Sequence, residues 1–221
     1  EAEELAVEVS KQLVNPANVK DVERYIENLN ESLVKQKNVN INKDIYTLYY
    51  KEILIMRKAL IVIDMQYDFI DGSLGTNEAQ NILPNVNDLI DKKDYDNLFF
   101  TRDTHYENYL DTQEGKNLPV KHCIKNTHGW QIHDILNTDG AEIIDKESFG
   151  FNGWKGKLDN FDEVVLVGLC TDICVISNAL IIKAFYPEIK INIVEDATAG
   201  VTPESKAAAI ATAKSCQINI I

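Results

Sequence analysis

The sequence predicts an α/β protein with a doubly wound, mainly parallel sheet of six strands and a helical extension before it. Three observations lead to this fold class. From residue 58 onwards, short apolar segments alternate with segments of helical periodicity. The segment 164–177, VVLVGLCTDICVIS, passes from a β-branched run into helical spacing within a few residues. Polar, reactive residues follow four of the expected strands, at the edge where such sheets bind ligands.

The extension, residues 1–57, differs in pattern from the rest and predicts three helices. Residues 15–18, Asn-Pro-Ala-Asn, separate the first two. We expect a packing or oligomerisation segment without chemistry, either the tail of an upstream domain or a fusion, since Met56 reads as a natural start. The helical groups are Leu5, Ala6, Val9 and Leu13; Val22, Tyr25, Ile26, Leu29 and Leu33; and Ile45, Leu48, Tyr49, Glu52 and Ile53.

Residues 58–221 then form one expected domain. Helices are predicted over 77–92, with an interruption near Pro84, over 130–136, from a first turn that includes Cys174, and over 202–215. Thr202 caps the last helix and Pro203 takes its first position. The segment 106–127 reads as a long loop, and 149–160 as a loop with a weak helix. The strands are predicted over 59–63, 97–101, 142–144, 164–168, 190–194 and 217–221.

Cys174 is the candidate nucleophile. It lies in the first turn of a helix, where free N–H groups favour the thiolate, which is the reactive form of cysteine. Asp64 ends the first strand and is the candidate base, and Lys146 supplies positive charge between the two. Taken singly, each also fits a structural role, as a buried cysteine, a loop cap and a surface lysine. Their convergence on one edge of the sheet favours catalysis.

The turn from Cys170 to Cys174 is the candidate oxyanion hole, because its backbone N–H groups point towards the same edge. The Cys170 side chain itself reads as a small residue lining that turn rather than as a second reactive thiol. Phe69 and Phe149 lie in loops near this edge and could sandwich a flat ring.

A second group of residues has metal-ligand chemistry. Asp103 and His105 share one loop after a strand, and His122 and Glu114 come from the long loop that follows. Mixed nitrogen and oxygen ligands suit zinc first, with iron and manganese as alternatives. We therefore expect a divalent metal held by these four residues.

The composition of the chain limits the classes of partner and the cellular location that we expect. The net charge of −13 argues against nucleic acid and anionic membranes, which need basic patches. No apolar run approaches the roughly 20 residues needed to span a bilayer. The four cysteines form no C-x-x-C pair, which favours a reducing cytoplasm over a disulfide framework. We expect a cytoplasmic homo-oligomer acting on a small molecule.

Five ordered segments resemble the isochorismatase-like cysteine hydrolase superfamily, and within it the nicotinamidases. The segments are LIVIDMQYDFIDG, FFTRDTHYENY, PVKHCIKNTHGWQIH, EIIDKESFGF and VVLVGLCTDICVISNAL. The resemblance covers about 58–221. It implies an Asp64, Lys146 and Cys174 triad and a cis peptide bond between Leu169 and Cys170 that helps form the oxyanion hole.

The same resemblance implies metal ligands at Asp103, His105 and His122, a further ligand at Glu114, and ring contacts from Phe69 and Phe149. True isochorismate hydrolases lack the cysteine, so the resemblance implies an amidase. The expected reaction converts nicotinamide and water into nicotinate and ammonia through a thioester, within NAD salvage. Two alternatives stay open at this point: hydrolysis of another small amide or carbamoyl compound, and a non-catalytic binding role.

Overall fold

A computed structural model describes residues 57–221, so the three helices expected in the extension lie outside the described residues. The described part confirms the expected fold class: its six strands form one sheet in the order β3-β2-β1-β4-β5-β6, and every neighbouring pair is parallel. The strands are β1 (Lys58–Ile63), β2 (Asn97–Asp103), β3 (Glu142–Lys146), β4 (Glu163–Leu169), β5 (Lys190–Ala199) and β6 (Asn219–Ile220).

Helices cover both faces of this sheet. Residues of α2 join the core on one face, and residues of α4 and α5 join the core on the other. None of the helices within 57–221 combines the length and apolarity that crossing a membrane requires. The helices are α1 (Tyr67–Ile70), α2 (Asn77–Lys92), α3 (Gln113–Asn117), α4 (Ile176–Phe185) and α5 (Pro203–Ser215); 3-10 turns span Tyr109–Asp111 and Asn152–Trp154, and a π-helical turn spans Thr171–Val175.

Strand register brings the reactive ends of four strands to one edge. Ile63 at the end of β1 pairs with Gly168 of β4, and Asp103 at the end of β2 pairs with Lys146 of β3. The residues that follow β1 and β4 are therefore neighbours, as are the last residues of β2 and β3. This edge lies where the chain changes direction in a doubly wound sheet, the usual place for a ligand site.

The predicted start of α5 is confirmed, whereas the predicted interruption of α2 is wrong. The Thr202 hydroxyl accepts the N–H of Ser205 at 3.1 Å, and Pro203 is the first helical residue. Helix α2 runs without a break through Pro84. A proline removes one N–H donor from a helix, but here the face that holds Val86 and Ile90 is buried against the sheet and keeps the helix in register.

The helix predicted over 130–136 is also wrong. These residues form turns, and Ile132 makes an antiparallel bridge with Gln66. The Trp130 indole N–H donates to Thr104 Oγ1 at 2.8 Å, and the Trp130 carbonyl accepts from the Gln66 side chain. The segment therefore satisfies its polar groups through distant partners instead of helical ones.

Three boundaries also differ. The loop predicted over 106–127 contains the 3-10 turn Tyr109–Asp111 and helix α3. Strand β5 continues to Ala199 because a register irregularity opposite β4 lets pairing resume at Thr198. Strand β6 is limited to Asn219–Ile220, which are in register with Asn192 and Ile193 of β5, and Ile221 adds two backbone hydrogen bonds to β5.

Candidate active site

Lys146 lies at the centre of the three catalytic candidates. Its ammonium nitrogen lies 2.7 Å from Asp64 Oδ2, 3.6 Å from Cys174 Sγ and 3.2 Å from Asp103 Oδ1. It also donates to the Ser148 carbonyl at 3.1 Å. Asp64, Lys146 and Cys174 are exposed by only 0%, 2% and 5%. The structure thus brings the three side chains together, away from bulk water.

Burial sets the protonation of this group. Burial raises the pKa of Asp64, the Lys146 charge opposes that change, and the Asp103 charge adds to it. Burial and then the Asp64 carboxylate raise the pKa of the Cys174 thiol well above its ordinary value, although Lys146 lowers it. Burial alone would lower the pKa of Lys146, but the neighbouring negative groups raise it, so Lys146 stays an ammonium.

The protonation state of Cys174 stays a prediction, because two opposing effects act on its thiol. A position at the start of a helix favours the thiolate, but complete burial beside a carboxylate opposes that effect. The raised pKa of Cys174 favours the thiol, and Asp64 is the neighbouring carboxylate that is placed to take its proton. Lys146 balances the single negative charge that these two groups share.

Two positioning residues were missed by sequence reasoning. The Thr101 hydroxyl donates to Asp64 Oδ1 at 2.7 Å. The Gln66 side chain donates to the Asp103 carbonyl at 2.9 Å and accepts the Asp103 N–H at 2.7 Å. The available signal was a threonine in the apolar run of β2 and a glutamine two residues after Asp64.

Hydrogen bonds within the turn that holds the nucleophile, and one from Asn178, fix the conformation of this turn. The peptide bond between Leu169 and Cys170 is cis, as the family resemblance implies. The Cys170 carbonyl accepts the N–H groups of Ile173 and Val175, at 3.1 and 3.0 Å. The buried Asn178 side chain donates to the Cys174 carbonyl at 2.8 Å. The oxyanion-hole role of the Cys170 and Cys174 N–H groups stays a prediction.

The side chains of the four expected metal ligands also lie close together. One ligand atom from each of Asp103, His105, Glu114 and His122 lies within 4.8 Å of all the others. His105 Nε2 is 2.8 Å from Asp103 Oδ2 and 3.4 Å from Glu114 Oε1, while His122 Nε2 is 3.7 Å from each of those oxygens. The spacing suits a cation shared by all four groups.

Hydrogen bonding around the imidazoles fits a metal ion. His122 Nδ1 lies 2.8 Å from the Val120 carbonyl and so carries the proton, which leaves Nε2 as a lone pair facing the cluster. His105 Nε2 is buried and, despite its short approach to Asp103, makes no directed hydrogen bond. Burial disfavours the charged imidazole of His105, but Asp103 and Glu114 outweigh it and raise its pKa to about 9. The cluster therefore attracts positive charge.

A cavity of about 820 Å³ opens above both groups. Cys174, Cys170 and the four expected metal ligands all line it, and so do Phe69 and Phe149. The Phe69 ring centroid lies 5.4 Å from that of His122, and Phe149 is 45% exposed at the wall. Asp64 and Lys146 contact Cys174 on the side of the thiol that faces the protein interior, away from the cavity. A small ring in this cavity could reach the thiol, the metal cluster and both aromatic side chains.

The model of the isochorismatase domain matches residues 58–221. The chain belongs to the isochorismatase family. The match covers all six strands and every residue of the site described above. The family therefore agrees with the resemblance that the sequence segments indicated.

Several isochorismatase-family relatives are amidases by name. The chain is 26% identical to the nicotinamidase/pyrazinamidase of Mycobacterium tuberculosis over 184 residues, which cover 74% of this chain and 98% of the relative. A structure of the Pyrococcus horikoshii pyrazinamidase in complex with zinc is 32% identical, with a TM-score of 0.66, and the match covers 75% of this chain and 98% of that one. The N-carbamoylsarcosine amidase of Thermoplasma acidophilum is 28% identical, with a TM-score of 0.61 over 75% and 95% of the two chains.

Proposed function

We propose that this protein is a cysteine amidohydrolase that converts nicotinamide and water into nicotinate and ammonia. The observation that carries the proposal is a cavity in which the buried Cys174 thiol, with Asp64 as its base, faces four candidate metal ligands, which we call the metal cluster. A pyridine carboxamide has one group for each, a ring nitrogen for the cluster and a carboxamide carbon for the thiol. The nicotinamidase relatives support this choice over other small amides.

The first half of the reaction forms a thioester. Asp64 takes the proton of the Cys174 thiol, and the sulfur attacks the carboxamide carbon. Negative charge that develops on the carboxamide oxygen is stabilised by the N–H groups of Cys170 and Cys174. Asp64 then returns the proton to the nitrogen, the carbon–nitrogen bond breaks, and ammonia leaves. Lys146 keeps its charge throughout and stabilises whichever partner is anionic.

The second half releases the acid. Asp64, again a carboxylate, takes a proton from water, and the oxygen attacks the thioester carbon. The carbon–sulfur bond breaks, and the proton on Asp64 passes to the Cys174 sulfur. The product is the carboxylic acid, which gives its proton to solvent and leaves as nicotinate, and the thiol and carboxylate are restored.

Asp103, His105, Glu114 and His122 would hold a divalent metal, zinc first and iron or manganese as alternatives. When bound, the metal supplies a Lewis acid that can ligate the pyridine nitrogen. The zinc complex of the Pyrococcus horikoshii relative and the donor set of two imidazoles and two carboxylates support zinc.

Nicotinamide hydrolysis is the direct test. The zinc-loaded protein should release ammonia and nicotinate in equal amounts. Chelation should lower kcat/KM by about 100-fold, because the ring loses an anchor that aligns the carboxamide with the thiol. Ammonia release would be followed for nicotinamide, pyrazinamide, N-carbamoylsarcosine and ureido compounds with zinc, iron and manganese. Hydrolysis of the carbamoyl compounds alone would reject nicotinamide as the substrate.

Removal of the Thr101 hydroxyl should alter the pH profile. Thr101→Val deletes a hydrogen bond that stabilises the Asp64 carboxylate, so the pKa of Asp64 should rise further. Asp64 accepts the thiol proton only when ionised, so activity is lost as pH falls through that pKa. The acid limb of kcat/KM should therefore move to higher pH, by about one unit for one hydrogen bond. Thr101→Ser keeps the hydroxyl and should keep the profile; equal profiles for all three proteins would contradict this role.

We also propose that the enzyme acts in pyridine nucleotide salvage in the cytoplasm. The four cysteines of the described part are free, and free thiols are favoured in a reducing compartment. Residues 1–57 remain in this proposal a packing or oligomerisation segment that contributes no catalytic group.

A further inference from the structure

The cavity is larger than a single ring requires. Its volume of about 820 Å³ is typical of pockets that hold drug-sized ligands. Nicotinamide has one six-membered ring and a carboxamide, and the thiol and the metal cluster account only for the buried base of the cavity. A second region, which we call the outer pocket, is lined by Leu74, Leu118, Ile173 and Val201.

The outer pocket lies towards solvent. Leu118 and Val201 are 39% and 52% exposed, whereas Cys174 at the base is 5% exposed. The four side chains come from the segment before α2, the end of α3, the nucleophile turn and the loop after β5. Leu118 and Val201 stay exposed, and Leu74 and Ile173 are half-buried. Apolar side chains from separate loops that line one cavity are typical of a ligand site.

Three polar side chains of the cavity wall are already engaged in hydrogen bonds within the protein. The Thr76 hydroxyl accepts the N–H of Ala79 as a helix cap, and the Thr112 hydroxyl accepts the N–H of Gly115. Glu147 accepts from the Tyr106 hydroxyl at 2.6 Å. Within the described residues, the cavity wall contains acidic side chains but no lysine or arginine. The outer pocket thus suits an uncharged, apolar group and disfavours an anion.

Ring geometry identifies the position of such a group. In nicotinamide the ring nitrogen and the carbon that bears the carboxamide flank one ring carbon, and carbon 5 lies directly opposite it. With the nitrogen at the metal cluster and the carboxamide at Cys174, carbon 5 points away from both anchors and out of the buried base. A substituent there extends towards the wider part of the cavity.

We propose that the outer pocket is a substrate subsite for an apolar substituent on carbon 5 of a pyridine-3-carboxamide. This inference rests on the proposed function. It makes 5-alkyl nicotinamides substrates of this enzyme, and it excludes analogues with an anionic group at the same position.

A series of 5-substituted nicotinamides tests the subsite. The kcat/KM for ammonia release should rise from 5-methyl to 5-propyl nicotinamide by about 15-fold, at roughly fourfold for each of the two added methylenes that are buried. The 5-carboxylate analogue, similar in size, should fall at least about tenfold below nicotinamide because no basic side chain meets it. Hydrolysis of nicotinamide with no turnover of the 5-alkyl series would overturn the subsite alone. No hydrolysis of any member would overturn the proposed function.

A variant in which a larger side chain fills the outer pocket gives a second test of the subsite. Val201→Trp should lower the ratio of kcat/KM for 5-propyl nicotinamide to that for nicotinamide by about tenfold. Ile135→Trp is the control, since Ile135 is similarly exposed, at 53%, and does not line the cavity. Calorimetric titration of 5-propyl nicotinamide into Cys174→Ala proteins with and without Val201→Trp adds a binding readout. An unchanged ratio and unchanged binding in Val201→Trp would contradict the subsite.

Discussion

Replacement of Cys174 with alanine should lower kcat for nicotinamide by about 10⁴-fold or more, since a nucleophile is the part of such a group whose loss costs most. Alanine cannot form the thioester, so the reaction loses its covalent intermediate. Nicotinamide should still bind, because the metal cluster and the aromatic walls remain. The measurements are ammonia release at saturating nicotinamide and a calorimetric dissociation constant for the same variant.

Cys216→Ala is the matched control for this change. Cys216 is the C-cap residue that follows α5; it packs at the edge of the core and does not line the cavity. Its loss should leave kcat within about twofold, as expected for a partly buried residue away from the site. Full activity in Cys174→Ala would remove the thioester mechanism. Loss of activity together with loss of nicotinamide binding would point instead to a collapsed site.

The sequence predicts the sheet well because each of its strands carries a local signal. Apolar runs that end in Asp64, in Asp103 or in the Cys170 turn mark strand ends without any knowledge of their neighbours. The parallel arrangement then follows from the alternation with helices, and it places all these ends on one edge. The convergence of the site is therefore a consequence of topology, and topology is what the sequence pattern encodes.

Features that depend on distant partners were not accessible in this way. The segment 130–136 has helical spacing, but its groups bond to Gln66 and Thr104, which lie 64 and 26 residues away from Trp130 along the chain. Thr101 looks like any strand residue until β1 places Asp64 beside it. The direction of the Cys174 pKa also escaped, because it depends on how completely the fold buries the thiol. Each of these is a tertiary effect that overrides a local preference.

Replacement of Asp64 with asparagine should separate thiol reactivity from turnover. After burial, the Asp64 carboxylate is the main cause of the raised pKa of Cys174, whereas Lys146 lowers it. Asparagine removes the negative charge and leaves the ammonium 3.6 Å from the sulfur, so the pKa of Cys174 should fall. The lower pKa raises the thiolate fraction, and with it the rate of alkylation by iodoacetamide at neutral pH, by about tenfold.

The turnover number of Asp64→Asn should fall, although its rate of alkylation rises. Without a carboxylate, no group takes the proton of the thiol, protonates the leaving ammonia or activates water, so kcat should fall by about 10³-fold. Peptide mass spectrometry assigns the alkylation rate to Cys174 rather than to the other cysteines. Glu163→Gln is the matched control: Glu163 is another buried carboxylate of the sheet, bonded to Asn192 at the opposite end of β4, and its loss should change neither rate. Alkylation that slows together with turnover in Asp64→Asn would mean that Asp64 stabilises the thiolate, and a resting thiol that gives its proton to Asp64 would then be wrong.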